Sequence, residues 1–522
     1  MTEAPRLWRA TGLMTAGTAL SRVTGLLRVA ALTYALGVTG TKLADTYNLA
    51  NTTPNIIYEL FLGGILTAVF VPVLIEARER KRGDPSALVS VSLVALAVVS
   101  AIAAFGAPLV MRIYTFRIAD PAARAAQLEL ATFLLRWFAP QILFYGLSGI
   151  AQALLNVRGR FGGPAFAPVL NNVIVAGTFI AFARVIGASG LELSTGAKTL
   201  LGAGTTAGVV VQALVLLPSL RGLKFKLDVR DPAVTRVLRL SAFIIGYVAV
   251  NQAGLWVVLA LANGARGGVT AYQVAFILLQ LPHGLFAVSI VTALFPDLSR
   301  AAANQDWDAY RNSFGVGVRG VFYLLAPAAV GYGLLAEPIT RVLLARGVAG
   351  VSDAVAVAAV LQAFATGLVF FSAFQLFTRC FFATGDTRTP TGINAVAVAV
   401  TTAVNVPMFA WIGVRGLGFG HAIGYATGAV GSLILLARRI PGGLGLGELV
   451  APLARNAVIA AAMGACVWVT ARYTPGGDLA VVAVSVGAGA ILYLAFSQVA
   501  GVEERAVLFD LVRQFRSTKG AA

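Results

Sequence analysis

The sequence predicts an all-α protein that crosses a membrane about fourteen times, and three observations lead there. Of its 522 residues 58% are hydrophobic, and the mean hydropathy is +0.83. Only 12% are charged, against about 25% in ordinary soluble domains. Apolar stretches of about 20 residues, the length that spans a bilayer as a helix, recur from one end to the other between charged or Gly/Pro-rich breaks.

The first stretch, 12–37, has no small-residue cleavage site behind a short apolar core, so it reads as a retained helix and not a signal peptide. The second, 47–76, is polar and interrupted: Asn48, Asn51, Thr52, Thr53, Pro54 and Asn55 precede Gly63 and Gly64. A break there leaves backbone groups that lipid does not tolerate unpaired, so this span is expected to line a cavity or to bend, with Pro54, Gly63 and Gly64 as a hinge. Further spans are expected at 86–111, 128–156, 163–187, 197–219, 240–263, 268–296, 313–335, 353–382, 390–412, 418–437, 452–472 and 478–500. The final stretch, EERAVLFDLVRQFRSTKG from Glu503 to Gly520, reads as an amphipathic cytoplasmic helix.

Charge then sets orientation. Lys and Arg number 40 against 22 Asp and Glu, for a net charge of +18. In so apolar a chain this excess suits loops held against anionic lipid, and nucleic acid is not an expected partner. Loops on the side of the N-terminus, with both termini, hold 25 of the 40 basic residues and the opposite loops hold 11, which places both termini in the cytoplasm. The remaining four, Arg22, Arg28, Arg136 and Arg319, fall inside expected spans.

The chain also reads as duplicated. Tyr47, Ala50, Pro54 and FVPVL in the second span recur loosely as Tyr272, Ala275, Pro282 and LFPDL in the eighth. LLNVRGRFGGP (Leu154 to Pro164) and CFFATGDTRTP (Cys380 to Pro390) are matching basic turns that lead to a helix-opening proline. The simplest account is two six-helix lobes related by a parallel repeat around a central cavity: residues 1–222 with the first six spans, 223–440 with the next six, and 441–522 with two extra helices and the tail. Chance likeness among apolar, proline-containing helices is the plainer alternative.

An arginine at the centre of a span costs about 2.5–3.5 kcal/mol even on the gentlest scale, so such residues usually face water. Arg22 and Arg28 lie about 120° apart on a helix, with Gly25 midway between them. The three form a notch in which an anion can meet two guanidinium forks, a geometry suited to phosphate. Snorkelling of one arginine to the interface, with the other paired to an acid, is the structural alternative. The acids within reach are Asp45, at the outer mouth of the second span, and Glu59 within it, either as ion-pair partners or as proton carriers. Spans of the second half hold no central carboxylate. Cys380 and Cys466 lack metal-type spacing, and His283 and His421 each stand alone in an apolar run and read as packed. Metal and cofactor are therefore not expected.

LSRVTGLLRVAALTYALG, ADTYNLANTTPNIIYELFLGGILTAVFVPVL, LLNVRGRFGGPAFAPVLNN, QLPHGLFAVSIVTALFPDLSRA and ATGDTRTP together resemble the MurJ/MviN family of bacterial lipid II flippases, within the multidrug and oligosaccharidyl-lipid exporter superfamily. The resemblance covers essentially the whole chain. It implies a V-shaped central cavity, a groove for a polyprenyl tail near the last two helices, and residence in the bacterial cytoplasmic membrane. Arg22 and Arg28 match the family's first-helix arginines, Asp45 the acid before its second helix, Pro54 and Asn55 its Pro-Asn pair, and Arg388 the basic residue of its Asp-x-basic-Thr-Pro turn. Departures stand at Tyr58 and Ile277, where the family carries arginine, and at Phe276 and Gln280, where it carries acids.

The function so implied is transfer of lipid II, a polyprenyl-diphosphate-linked disaccharide-pentapeptide, from the cytoplasmic to the outer leaflet by alternating access. Arg22, Gly25, Arg28, Asn55 and Arg388 would hold the headgroup, with Asn51, Asn156, Asn171 and Asn172 as further hydrogen-bonding groups. Expected partners are lipid II, membrane lipids, and cell-wall synthesis and division proteins. An exporter of another polyprenyl-linked oligosaccharide, a multidrug antiporter or a membrane enzyme acting on polyprenyl phosphates are the rival readings. The enzyme is disfavoured because no loop clusters Asp, His or Ser at catalytic spacing.

Overall fold

The computed structural model describes residues 4–59, 84–158, 160–187, 190–222 and 224–504. Its regular elements there are all helical: α1 (Ala4–Leu36), α2 (Leu43–Glu59), α3 (Pro85–Phe105), α4 (Ala107–Thr115), α5 (Pro121–Phe138), α6 (Gln141–Val157), α7 (Gly162–Val185), α8 (Thr195–Leu216) and α9 (Pro232–Ala262), then α10 (Gly268–Pro282), α11 (Val288–Ala303), α12 (Trp307–Leu344), α13 (Val351–Ala365), α14 (Leu368–Ala383), α15 (Arg388–Ile412), α16 (Val414–Arg439), α17 (Leu446–Tyr473) and α18 (Asp478–Val499). Among the described residues eleven helices are long and apolar enough to cross a membrane, and the pair α13–α14, bent by 49°, makes a twelfth if taken as one span. The two other expected spans correspond to α2, described to Glu59, and to α9.

Three helices begin alike, because an Asp-Pro pair satisfies a first-turn donor and removes another. Asp84 accepts from Ser86 N at 2.8 Å, Asp120 from Ala122 N at 3.0 Å and Asp231 from Ala233 N at 2.8 Å, each one residue before the proline that opens its helix. The helices run past several expected span ends, α12 to Leu344 beyond the expected 335 and α9 from Pro232 ahead of the expected 240. The expected interruption of the second span differs: α2 runs as one helix through Pro54, which is buried. Gly63 and Gly64 lie outside the described residues.

Contacts divide the chain into two compact units, Met1–Thr270 with Arg346–Gly350, and Ala271–Ala345 with Val351–Ala522. In the first, α1 lies along α7, and small residues set the approach: a Cβ on Gly17 would stand 2.5 Å from Ala165 Cβ. Tyr47 from α2 is buried between Phe138 and Phe179, with ring centroids 5.4 and 5.1 Å away. The charged connection before α9 is laid along α3, where Lys226 N donates to Ser90 Oγ at 3.0 Å and Lys226 Nζ meets Asp84 at 3.2 Å.

In the second unit, glycines of α16 recur every fourth residue. A Cβ on Gly416 would stand 2.2 Å from Met408 O, on Gly420 2.0 Å from Asn405 Oδ1, and on Gly424 1.8 Å from Thr401 Oγ1, so α15 seats directly on the α16 backbone. Without a hydrophobic drive between helices in lipid, such close contact is what holds them together. Arg319 of α12 meets a counter-charge from far along the chain: its Nε lies 2.7 Å from Glu504 Oε1, beyond the end of α18. The remainder of the expected tail helix, from Arg505 on, lies outside the described residues.

Candidate functional site

Arg22 and Arg28 both stand on α1, the first exposed and the second half-buried. Their separation follows from six residues of uninterrupted helix. Gly25 between them is partly accessible, and a Cβ there would be in ordinary contact, 3.6 Å, with Asn172 Nδ2 on α7. That amide donates to Ser21 O at 3.1 Å and to Thr24 Oγ1 at 3.2 Å. Asn172 thus clamps α1 to α7 on the stripe that separates the arginines. Tyr47 is anchored by a 2.9 Å hydrogen bond between its hydroxyl and Thr205 Oγ1.

Asp45 is fully buried in the first turn of α2. Its Oδ1 accepts from Thr270 N at 2.9 Å and from Thr270 Oγ1 at 2.8 Å, and Lys42 Nζ lies 3.5 Å from Oδ2. Its charge partner is thus Lys42, not an arginine of α1. Lys42 in turn donates to Asn263 O at 2.6 Å and Ala265 O at 2.7 Å, and Asn48 Nδ2 donates to Thr270 Oγ1 at 3.0 Å. The network continues to α5, where Gln127 Nε2 donates to Asn263 Oδ1 at 3.0 Å. Together these bonds latch the start of α2 to the α9–α10 loop and the first turn of α10. Burial disfavours the charged form of Lys42 more than Asp45 favours it, so its ammonium titrates below the usual lysine range.

Farther along α2, Asn55 is half-buried, and Asn51 Oδ1 and Thr53 Oγ1 are buried with no hydrogen-bond partner among the described residues. Orphaned polar atoms cost about 1–3 kcal/mol each unless something meets them; Asn51 and Asn55, one turn apart, share a face of α2, and Thr53 lies on the opposite one. The side chains of Tyr58 and Glu59 lie outside the described residues. Arg388, in the second unit, is exposed at the first position of α15. The acid of its turn, Asp386, accepts from Arg388 N at 3.0 Å and Thr389 N at 3.1 Å and pairs with Arg439 Nη1 at 2.6 Å. Burial pushes the Asp386 carboxyl up, but the Thr389 hydrogen bonds and Arg439 outweigh it and hold it below the usual range.

Two features escaped the sequence reading. Lys42, Asp45 and Asn48 at three-residue spacing mark one face of a helix start, a signal that was present; their partners at Asn263 and Thr270, more than 200 positions away, were not legible. The two histidines, read as isolated, belong to one aromatic ladder. Tyr272 OH lies 3.1 Å from His421 Nε2, His421 packs on Tyr425, Tyr425 on Phe371, and Phe371 on His283 at 4.4 Å between ring centroids.

Comparison with known proteins adds three findings. A family model described as "Lipid II flippase MurJ" matches residues 32–486. Among curated proteins, a "Probable lipid II flippase MurJ" of Haemophilus influenzae is 30% identical over 481 residues, covering 86% of this chain and 90% of that one. A "Lipid II flippase MurJ" of Burkholderia cenocepacia is 31% identical over 433 residues, covering 80% and 81%. Among solved structures, one of "Lipid II flippase MurJ, inward closed conformation" superposes with a TM-score of 0.79 at 19% identity, over 93% of this chain and 98% of that one. An inward-facing multidrug resistance MATE transporter of the MOP superfamily follows at 0.60 and 15% identity, over 84% and 95%.

Proposed function

The chain belongs to the MurJ family of lipid II flippases, which are membrane transporters, and from that premise we propose that it carries lipid II from the cytoplasmic to the outer leaflet of the bacterial inner membrane by alternating access. Both termini are cytoplasmic in this reading. The working divisions are 1–222, 223–440 and 441–522, the last supplying a path for the polyprenyl tail.

The observation that carries the proposal is the pair Arg22 and Arg28 on one uninterrupted helix, clamped to α7 by Asn172 between them. Two guanidinium forks held at fixed spacing are what a diphosphate needs, since each presents two parallel donors to an anion's oxygens. Fixing α1 removes part of the ordering cost of binding. Asn51, whose Oδ1 has no hydrogen-bond partner among the described residues, shares a face of α2 with Asn55, which supports a sugar-peptide contact there. The buried Asp45 carboxylate, met by Lys42 and Thr270 at the start of α2, supports a role for Asp45 in coupling.

Complementation tests this reading. In a host depleted of its own lipid II flippase, the chain should restore growth and the accessibility of lipid II at the outer face. Arg28→Ala should abolish rescue at normal expression, and Arg28→Lys should rescue in part, because a point charge replaces a planar fork. Undiminished growth with Arg22 and Arg28 both changed to Ala would remove the diphosphate role from α1.

A further inference from the structure

The second unit contains a groove that none of the site residues above occupies. Helix α10 ends at Pro282, and the chain then makes one π-type turn, His283–Ala287, before α11. Proline has no N–H to give to the carbonyl four residues earlier. That carbonyl, Leu278 O, instead accepts from Tyr332 OH at 2.8 Å. The wider turn closes with Val288 N bonded to His283 O, five residues back. Such turns insert a residue into the helix and re-aim the side chains that follow. Here the result is a cavity of about 480 Å³ between the π turn and α11 on one side and α14 on the other.

Its lining is mixed. Gln375 and Arg379, one turn apart on the exposed face of α14, and the ring of His283 are polar, while Val288, Val291 and Phe295 are apolar. His283 is held by a 2.8 Å hydrogen bond between Nδ1 and Ser372 Oγ. No carboxylate lines the cavity, and Arg379 makes no ion pair among the described residues; its guanidinium rests over the Phe382 ring at 5.8 Å. The acid nearest in sequence, Asp297, is paired with Arg300 at 3.1 Å. Arg379 is exposed one turn before the end of α14, so an anion that reaches the cavity from the basic turn meets an unpaired guanidinium beside apolar side chains.

We propose that this groove binds the diphosphate head of a polyprenyl lipid together with its first isoprene units, the diphosphate on Arg379 and the hydrocarbon on Val288, Val291 and Phe295. The inference rests on the transport reading above and names a second station for the same cargo. A single unpaired arginine in a lining otherwise rich in apolar side chains fits this lipid better than a glycerophospholipid. In a polyprenyl diphosphate the hydrocarbon starts at the phosphate ester oxygen, whereas a glycerophospholipid interposes a polar glycerol diester. The wall beside Arg379 offers that diester little: the Thr292 hydroxyl donates to Val288 O of its own helix at 2.7 Å. A cavity of this size takes a drug-sized group, so the sugar and peptide of lipid II lie outside it.

The test uses the purified full chain in detergent with farnesyl diphosphate as probe, and inorganic pyrophosphate and phosphatidylglycerol as comparators. Farnesyl diphosphate should bind more tightly than pyrophosphate and resist displacement by an equal amount of phosphatidylglycerol. Arg379→Gln should weaken it about tenfold, the loss of one charge-assisted contact, while the unliganded protein unfolds at an unchanged temperature. Arg379→Lys should recover part of the loss. Val291→Trp, which fills the wall, should weaken farnesyl diphosphate and leave pyrophosphate as it was. Equal affinity in wild type and Arg379→Gln overturns the proposal, as does equal displacement by phosphatidylglycerol or the absence of binding to wild type. Failure of the chain to rescue the depleted host, with the Arg379 effect on binding intact, counts against the transport reading alone.

Discussion

At Gly25 the structure separates two uses of a glycine. A Cβ there would lie 3.6 Å from Asn172 Nδ2, ordinary van der Waals contact, so Gly25→Ala should fold and melt like wild type. Reduced rescue in the depleted host with an unchanged unfolding temperature would mean that cargo touches the α1 backbone between Arg22 and Arg28. Full rescue would assign the glycine to α1–α7 packing and leave the anion to the two side chains. Asp45 poses the opposite case, a buried charge with several partners. Asp45→Asn keeps an acceptor for Thr270 but strands the Lys42 ammonium, and should cost about 2 kcal/mol of stability, less than a wholly buried pair because 17% of the Lys42 side chain is exposed. Adding Lys42→Met should recover much of that loss in a thermal unfolding assay. A double variant no more stable than the single one would show that Lys42 is held by Asn263 O and Ala265 O alone.

At the scale of elements, legibility followed the physics of each signal. Spans were readable because transfer into lipid depends on a local sum of apolar residues, and the Asp-Pro helix starts lie within three residues of their acceptors. The Asn172 clamp beside Gly25 was not readable, because Asn172 comes from a helix about 150 positions away. Neither was the continuity of α2 through Pro54, since tertiary packing holds a proline-containing helix that local propensity disfavours. The Glu504 counter-charge for Arg319 lies past the last apolar span, outside any window that a hydropathy scan joins to α12. The glycine ladder of α16 was open to a reader looking for small residues at every fourth position, and it yields a direct comparison. Gly424→Val forces a branched side chain into Thr401 and should destabilise the purified protein by about 1–3 kcal/mol or more. Gly431→Ala on the same helix has 3.6 Å to Ile393 and should be silent. Equal unfolding temperatures for the two variants would contradict the close α15–α16 seating.

For the whole molecule, composition decided that the chain is membrane-embedded, and the family match places it among lipid II flippases. Its charge distribution bears on how transport is driven. Spans of the second half carry no central carboxylate, and the described residues hold no cluster of three acids, histidines or cysteines fit for a metal ion. Exchange of Na⁺ for K⁺ should therefore leave transport nearly unchanged, with membrane potential or pH as the variable that matters. The central claim is tested most directly in vesicles that contain only the purified chain and a fluorescent lipid II, with arrival at the opposite leaflet read by an impermeant quencher. The account predicts transfer that requires the chain, is lost in the Arg22→Ala, Arg28→Ala double variant, and persists when K⁺ replaces Na⁺. Transfer that the double variant performs at the wild-type rate would contradict it.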